Sequence, residues 1–149
     1  VCYEDEETIN KISNLYGSQS ISVMIDYKKN DGEIFLYSNC GDKQEKLGFK
    51  QHLENINIMN TGEIILNSID RDGNGAGLDL EILKLLKKSI SKPILLMGGA
   101  GKPEHLSEAL QKKQVSGVIT ANLFNFLGLG LRLARKKLIQ EKVNVVDFE

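Results

Sequence analysis

A chain of 149 residues is one domain's worth of polypeptide, long enough to bury a substantial core. Its 19 Lys and Arg against 20 Asp and Glu leave no electrostatic footprint for nucleic acid or an anionic membrane surface. No apolar run reaches the length of a membrane span and no secretory signal is visible.

Cys2 and Cys40 stand alone and read as free thiols, which points to a reducing, cytoplasmic home. His52 and His105 lie far apart without ligand-like spacing, so no metal and no other cofactor is expected. The chain opens at Val1 and runs almost at once into a helix, which suggests a piece of a longer protein.

The first helix is announced by "YEDEETINKISNLYG": acidic residues crowd its start, Ile9, Ile12 and Leu15 share a face, and Gly17 ends it. "SISVMID", Ser20 to Asp26, is β-branched and apolar and reads as a buried strand. The turn signal "KKNDG" leads into an alternating stretch, Glu33 to Ser38, expected as an excursion hairpin strand. "GFKQHLENINIMNTG" then places Phe49, Leu53 and Ile56 on one helical face and stops at Gly62.

From there the pattern repeats. Strand "EIILN" (63–67) precedes a helix over "GLDLEILKLLKKSIS" with Leu80, Leu83, Leu86 and Ile90 inward. Strand "PILLM" (93–97) precedes helix "KPEHLSEALQKK", and strand "GVITA" (117–121) precedes a last helix ending near Gln140. Strands alternating with helices require a parallel sheet, and four wholly apolar strands imply burial of both faces. The chain is read as one domain over 1–149. Either an open doubly wound sheet or part of a (β/α)₈ barrel accommodates this order; a whole barrel needs eight strands and ~250 residues.

In both architectures polar residues at strand C-terminal ends face the site. Those ends here are Asp26-Tyr27-Lys28, then "NSIDRDG" from Asn67, then Gly98-Gly99-Ala100-Gly101, then Thr120-Ala121-Asn122. An unpaired carboxylate would be costly inside the sheet, so Asp26 is expected at a wet mouth or paired with Lys28 or Arg71. A salt-bridged or capping strand-end aspartate is the plain alternative. The "GGAG" run lets backbone approach a ligand and offers amides to an anion, although a simple strand-to-helix turn uses the same residues. Asp72-Gly73 is equally a turn dipeptide, Asp70 and Arg71 equally a surface pair, and "RLARKKLIQEK" a solvated helix face. His105 is expected to be an exposed first-turn residue. No nucleophile–histidine arrangement can be assembled.

The segments "GSQSISVMIDYKKNDGE", "GEIILNSIDRDGNGAGLDLEILK", "GGAGKPEH" and "ANLFNF", taken in order, resemble the second half of the cyclase subunit of imidazole glycerol phosphate synthase. That resemblance implies an α/β fold of the (β/α)₈ barrel class, this chain supplying about strands five to eight. It implies a lyase of histidine biosynthesis. Ammonia, channelled from a glutaminase subunit, attacks a bis-phosphorylated ribonucleotide and yields imidazole glycerol phosphate and the aminoimidazole-carboxamide ribotide.

By the same resemblance Asp26 is one of two acid–base aspartates, its counterpart lying in an N-terminal half. Lys28, Asn67 and Asp72 match substrate-contacting positions, Asn67 at a site usually threonine. Gly98, Gly99, Ala121 and Asn122 match a phosphate site, and Glu63, at the opposite strand end, one member of a charged ammonia gate. Three departures stand out: Cys40, Met97 and Asn122 occupy rim positions that are usually serine. They suit a paralogous ammonia-using barrel in amidino modification of bacterial surface sugars. A sister isomerase barrel also ends a strand with "RDG" but matches less of the motif. An inactive half barrel that self-associates through its two open edges is the reading from another class.

Overall fold

The computed structural model describes residues 5–88, 90–121, 123 and 130–146. Helix α1 spans Glu6–Tyr16. It starts where Asp5 accepts the Thr8 amide at 2.9 Å and stops where Gly17 turns to φ +86, a backbone conformation that favours glycine. Its inward face is Ile9 with Ser13, whereas the expected Ile12 and Leu15 are exposed. Strand β1 (Ser22–Asn30) is longer than the apolar run, because its charged C-terminal half pairs with β2 (Glu33–Ser38) in an antiparallel hairpin. The two residues between them, Asp31 and Gly32, both take positive φ, the conformation a tight hairpin demands of an Asp-Gly pair. A short β3 (Lys43–Gln44) pairs onto β2.

Helix α2 (Phe49–Ile58) buries Phe49, Leu53 and Ile56 as its spacing predicts, and His52 beside them. Strands β4 (Glu63–Ser68), β5 (Ile94–Met97) and β6 (Gly117–Ile119) follow, with α3 (Pro103–Leu110) and α4 (Gly130–Gln140) completing the described helices. Between β4 and β5 the expected long helix is absent. Among the described residues a 3₁₀ turn, Leu80–Leu85, forms there instead, and Ile82 and Leu83 are its buried residues. Asp79 stands at the capping position, but its carboxylate is engaged elsewhere and makes no capping bond, so an α-helix start loses its usual support.

The six strands run in the order β3-β2-β1-β4-β5-β6, with β1, β4, β5 and β6 mutually parallel. The parallel strands therefore lie side by side in chain order, with no reversal of direction along the sheet. A doubly wound sheet reverses at a switch point; among the described strands this sheet does not. Val23, Ile25, Tyr27, Ile64, Leu66, Ile94 and Leu96 form one continuous core with Ile9, Leu53, Ile56, Leu106, Ala109, Ala134 and Leu138 of the helices.

The expectation of burial on both sides holds for β4, whose Ile64–Ser68 are all buried, and is corrected for β1. Along β1 burial alternates, and Met24, on the face away from the core, is 46% exposed. Helices on one side and strands in chain order are the arrangement of a (β/α)₈ barrel, whose inner face is completed by its remaining strands. The chain folds as a partial barrel.

Candidate functional site

The register of the parallel strands sorts the uncovered face into rows. Ser22 lies beside Glu63; Met24 beside Ile65, Leu95 and Gly117; Asp26 beside Asn67, Met97 and Ile119. The first row is polar and sits at the strands' N-terminal ends, where the Ser22 hydroxyl donates to Glu63 Oε1 at 2.5 Å. The second row is apolar. The third, at the C-terminal ends, carries the polar pair Asp26 and Asn67.

Asn67 Nδ2 donates to Asp26 Oδ1 at 2.8 Å. Asp26 thus pairs with an amide and not with Lys28 or Arg71. The Lys28 ammonium lies 4.6 Å from the centroid of the Tyr37 ring, and Arg71 Nη1 donates to the Gly77 carbonyl at 3.2 Å. Asn67 is buried, and its Oδ1 has no hydrogen-bond partner among the described residues. A part-buried carboxylate–amide pair of this kind orients the Asp26 side chain.

The loop after β4 crowns the same end. Its start is fastened by Ile69 N–H donating to the Tyr27 carbonyl at 3.0 Å and by Asp70, which accepts from the Ser68 hydroxyl and the Lys29 amide. Burial alone would raise the Asp70 carboxyl, but these two donors, with the Asp70 amide and the Arg71 charge, together hold the group below the usual carboxylate range. Its far end is fastened by Asp79, which accepts Tyr27 Oη at 3.0 Å and pairs with Lys29 Nζ at 2.6 Å. Burial, followed by the charge of Asp79, pushes the Tyr27 phenol well above its ordinary range, so it remains a donor. Asp72, carried between these fastenings, is exposed.

Gly98 and Gly99 follow β5 at φ +92 and +97. A Cβ on Gly98 would lie 2.4 Å from the Ser68 carbonyl oxygen, and one on Gly99 2.5 Å from that of Gly77. The glycines are required by the backbone of the β4 loop, which packs against them; Gly77 N–H donates to the Gly99 carbonyl at 2.8 Å. His105 seals the junction: it is buried, and its Nδ1 accepts the Gly101 amide at 3.1 Å, which corrects the expectation of an exposed side chain. Ala121 lies just past β6 at the same end of the sheet, and Asn122 falls outside the described residues. Asp26, Lys28, Asn67, Asp72, Gly98, Gly99 and Ala121 therefore gather at one end, and Glu63 stands at the other, about 13 Å away at the rise of a strand.

The model of a family described as histidine biosynthesis protein matches residues 1–128. The chain belongs to that family. Among its curated relatives, a Parasynechococcus marenigrum protein provisionally named imidazole glycerol phosphate synthase subunit hisF2 is 38% identical over 127 residues, 85% of this chain and 47% of its own length. The imidazole glycerol phosphate synthase subunit HisF of Chlorobaculum tepidum is 32% identical over 141 residues, 95% of this chain and 56% of that protein. That of a Thermotoga strain is 34% identical over 137 residues, 92% and 54% respectively. This histidine biosynthesis family chain spans about half the length of the curated relatives it matches.

Sequence reasoning missed the Tyr27–Asp79–Lys29 cluster, the Ser68–Asp70 contact and the seat of His105. The first joins residues 50 and 52 positions apart, which no local periodicity encodes. No helix among the described residues is long and apolar enough to cross a membrane.

Proposed function

We propose that this chain supplies one half of a cyclase barrel that makes imidazole glycerol phosphate and aminoimidazole-carboxamide ribotide from a bis-phosphorylated ribonucleotide and ammonia. The observation that carries this reading is the Asp26–Asn67 pair, placed at the C-terminal ends of the parallel strands, on the sheet face where Met24 is exposed. Asp26 shuttles a proton at the bound substrate, oriented by Asn67, and a second aspartate from an N-terminal half works from the opposite side. One group can then deliver a proton while the other removes one, as addition of ammonia and elimination of the ribotide both require.

Lys28, Asn67 and Asp72 hold the ribonucleotide, and the loop ends at Gly98, Gly99, Ala121 and Asn122 hold one of its phosphates. Ammonia enters at the N-terminal end past Glu63 and traverses the apolar row of Met24, Ile65 and Leu95. The glutaminase subunit that releases it docks at that end. Supporting this, α1 ends there with Leu15 and Tyr16 at 75% and 68% exposure, and the turn that follows packs its backbone on Gly62, next to Glu63. Large apolar side chains exposed together mark partner surfaces more often than chance positions do.

The test is to join the chain behind the N-terminal half of its Chlorobaculum tepidum relative and follow turnover of the ribonucleotide with an ammonium salt. Turnover lost in Asp26→Asn supports the cyclase reading. A folded barrel without turnover overturns it and favours the surface-sugar paralogue, to which Met97 beside Asn67 is suited. Alone, the chain is inactive and self-associates through its uncovered face.

A further inference from the structure

The Tyr27–Asp79–Lys29 cluster has no part in the acid–base step, yet it is the most buried charged group beside the site. Asp79 is 2% exposed and receives two donors, Tyr27 Oη and Lys29 Nζ. Both donors come from β1, whose alternate residues Asp26 and Lys28 lie on the opposite, uncovered face. The loop from Ile69 to Asp79 is thereby fastened at both ends to the same short stretch of one strand: by backbone bonds and Asp70 at its start, and by Asp79, next to the buried Leu78, at its finish. Between the fastenings Arg71 reaches the Gly77 carbonyl, and Gly77 reaches Gly99. Asp72 rides on that closed arc.

We infer that Asp79 is a positioning residue, which fixes the Asp72 loop relative to Asp26 by gripping the far side of the strand that carries Asp26. This rests on the proposed cyclase reading, since it names the residue that holds one part of that site against another. A buried carboxylate with two strong donors has one low-energy placement, and it transmits that placement to the eight loop residues 71–78, adding to the Gly77–Gly99 backbone bond and the buried Leu78. The Asp79→Asn variant keeps an acceptor for Tyr27 but loses the charge that draws Lys29.

The experiment uses the barrel completed by the Chlorobaculum tepidum N-terminal half, with hydrogen exchange of the 69–79 backbone read beside ammonium-dependent kinetics. Asp79→Asn is expected to quicken exchange in that loop at least ten-fold while β4 stays protected. It is also expected to lower kcat/KM about ten- to hundred-fold, mainly through KM. In the Asp72→Ala background the same change is expected to cost almost nothing further, because the residue it positions is gone. Unchanged loop exchange, or losses that multiply in the double variant, overturns the inference while the cyclase reading stands. If the completed barrel shows no turnover, the cyclase reading fails. The exchange measurement then still decides whether Asp79 holds the loop, and an unaltered loop refutes it.

Discussion

Asn67 Nδ2 lies 2.8 Å from Asp26 Oδ1, across the parallel register that places these two residues side by side on β4 and β1. The carboxylate that the proposed chemistry needs is therefore held by the neighbouring strand and, among the described residues, by no cation. A strand-to-strand hydrogen bond is as rigid as the sheet itself, which suits a group that must meet a substrate in one orientation.

That arrangement sets the first expectation. In the completed barrel Asp26→Asn removes the proton-transfer group and is expected to lower kcat by about 10²–10⁴-fold. Asn67→Leu leaves the carboxylate but removes its donor, and a loss of roughly ten-fold is expected from misorientation alone. Steady-state kinetics of both variants check this, with equal losses pointing to a structural collapse common to the two.

The second concerns the glycines after β5. Gly98→Ala places a Cβ 2.4 Å from the Ser68 carbonyl oxygen at a φ of +92, so the β4 loop must move. Gly32→Ala has the same backbone problem at φ +83 and meets nothing within 4 Å. The expected destabilisation is about 1 kcal/mol at Gly32 and about 3 kcal/mol or more at Gly98. Urea unfolding of both variants separates strain from collision.

Much of this was legible in the residues, and the part that was not has a common cause. Strands β4 and β5 showed in their apolar runs, and the β1–β2 hairpin in the Asp31-Gly32 turn, because each is encoded within a few positions. The side of α1 that faces inward was not, since Ile9, Ile12 and Leu15 all look alike as apolar residues until a sheet exists to choose Ile9. The 3₁₀ turn at Leu80–Leu85 escaped for the same reason. Its spacing is helical, but Asp79 is drawn to Tyr27 and Lys29, some 50 positions earlier, and gives up its capping role. Of the site, Asp26 and the glycines could be named from strand ends; what they lean on could not.

A third expectation is a pH dependence carried by His52. Burial pushes its imidazole down to about 4 in the fold, against an ordinary value of 6.5. The unfolded chain therefore binds the extra proton first as pH falls. The stabilisation is complete above pH 6.5 and is lost as pH drops towards 4, in all roughly 2 kcal/mol once solvent screening is allowed for. Thermal melts of wild type and His52→Gln between pH 7.5 and 4 should converge at the acid end if this histidine is responsible. Curves that stay parallel would assign the dependence elsewhere.

The fourth tests the uncovered face of the sheet. The hairpin protects β1 only from Asp26 to Asn30, leaving the edge from Ser22 to Ile25 unpaired within the described sheet, beside the exposed Met24. The chain by itself is expected to associate through this face, burying apolar area worth about 25 cal/mol for each square ångström covered. Met24→Lys puts a charge at the centre of that contact and is expected to weaken association at least ten-fold in sedimentation equilibrium. Unaltered association would place the contact on another surface, such as the Leu15 and Tyr16 patch.

The last separates ammonia entry from chemistry. Glu63 stands at the opposite end of its strand from Asn67, bonded to Ser22 and remote from the Asp26 pair, so it has no reach to the reacting groups. If it guards the entrance, Glu63→Ala in the completed barrel with a glutaminase partner should lower glutamine-dependent turnover about ten-fold or more, because gating acts on delivery and not on the barrier. Turnover fed directly by an ammonium salt should change less than two-fold. Equal losses under the two feeds would mean that the substitution damages the barrel as a whole, since both routes share the site but only one depends on the gate.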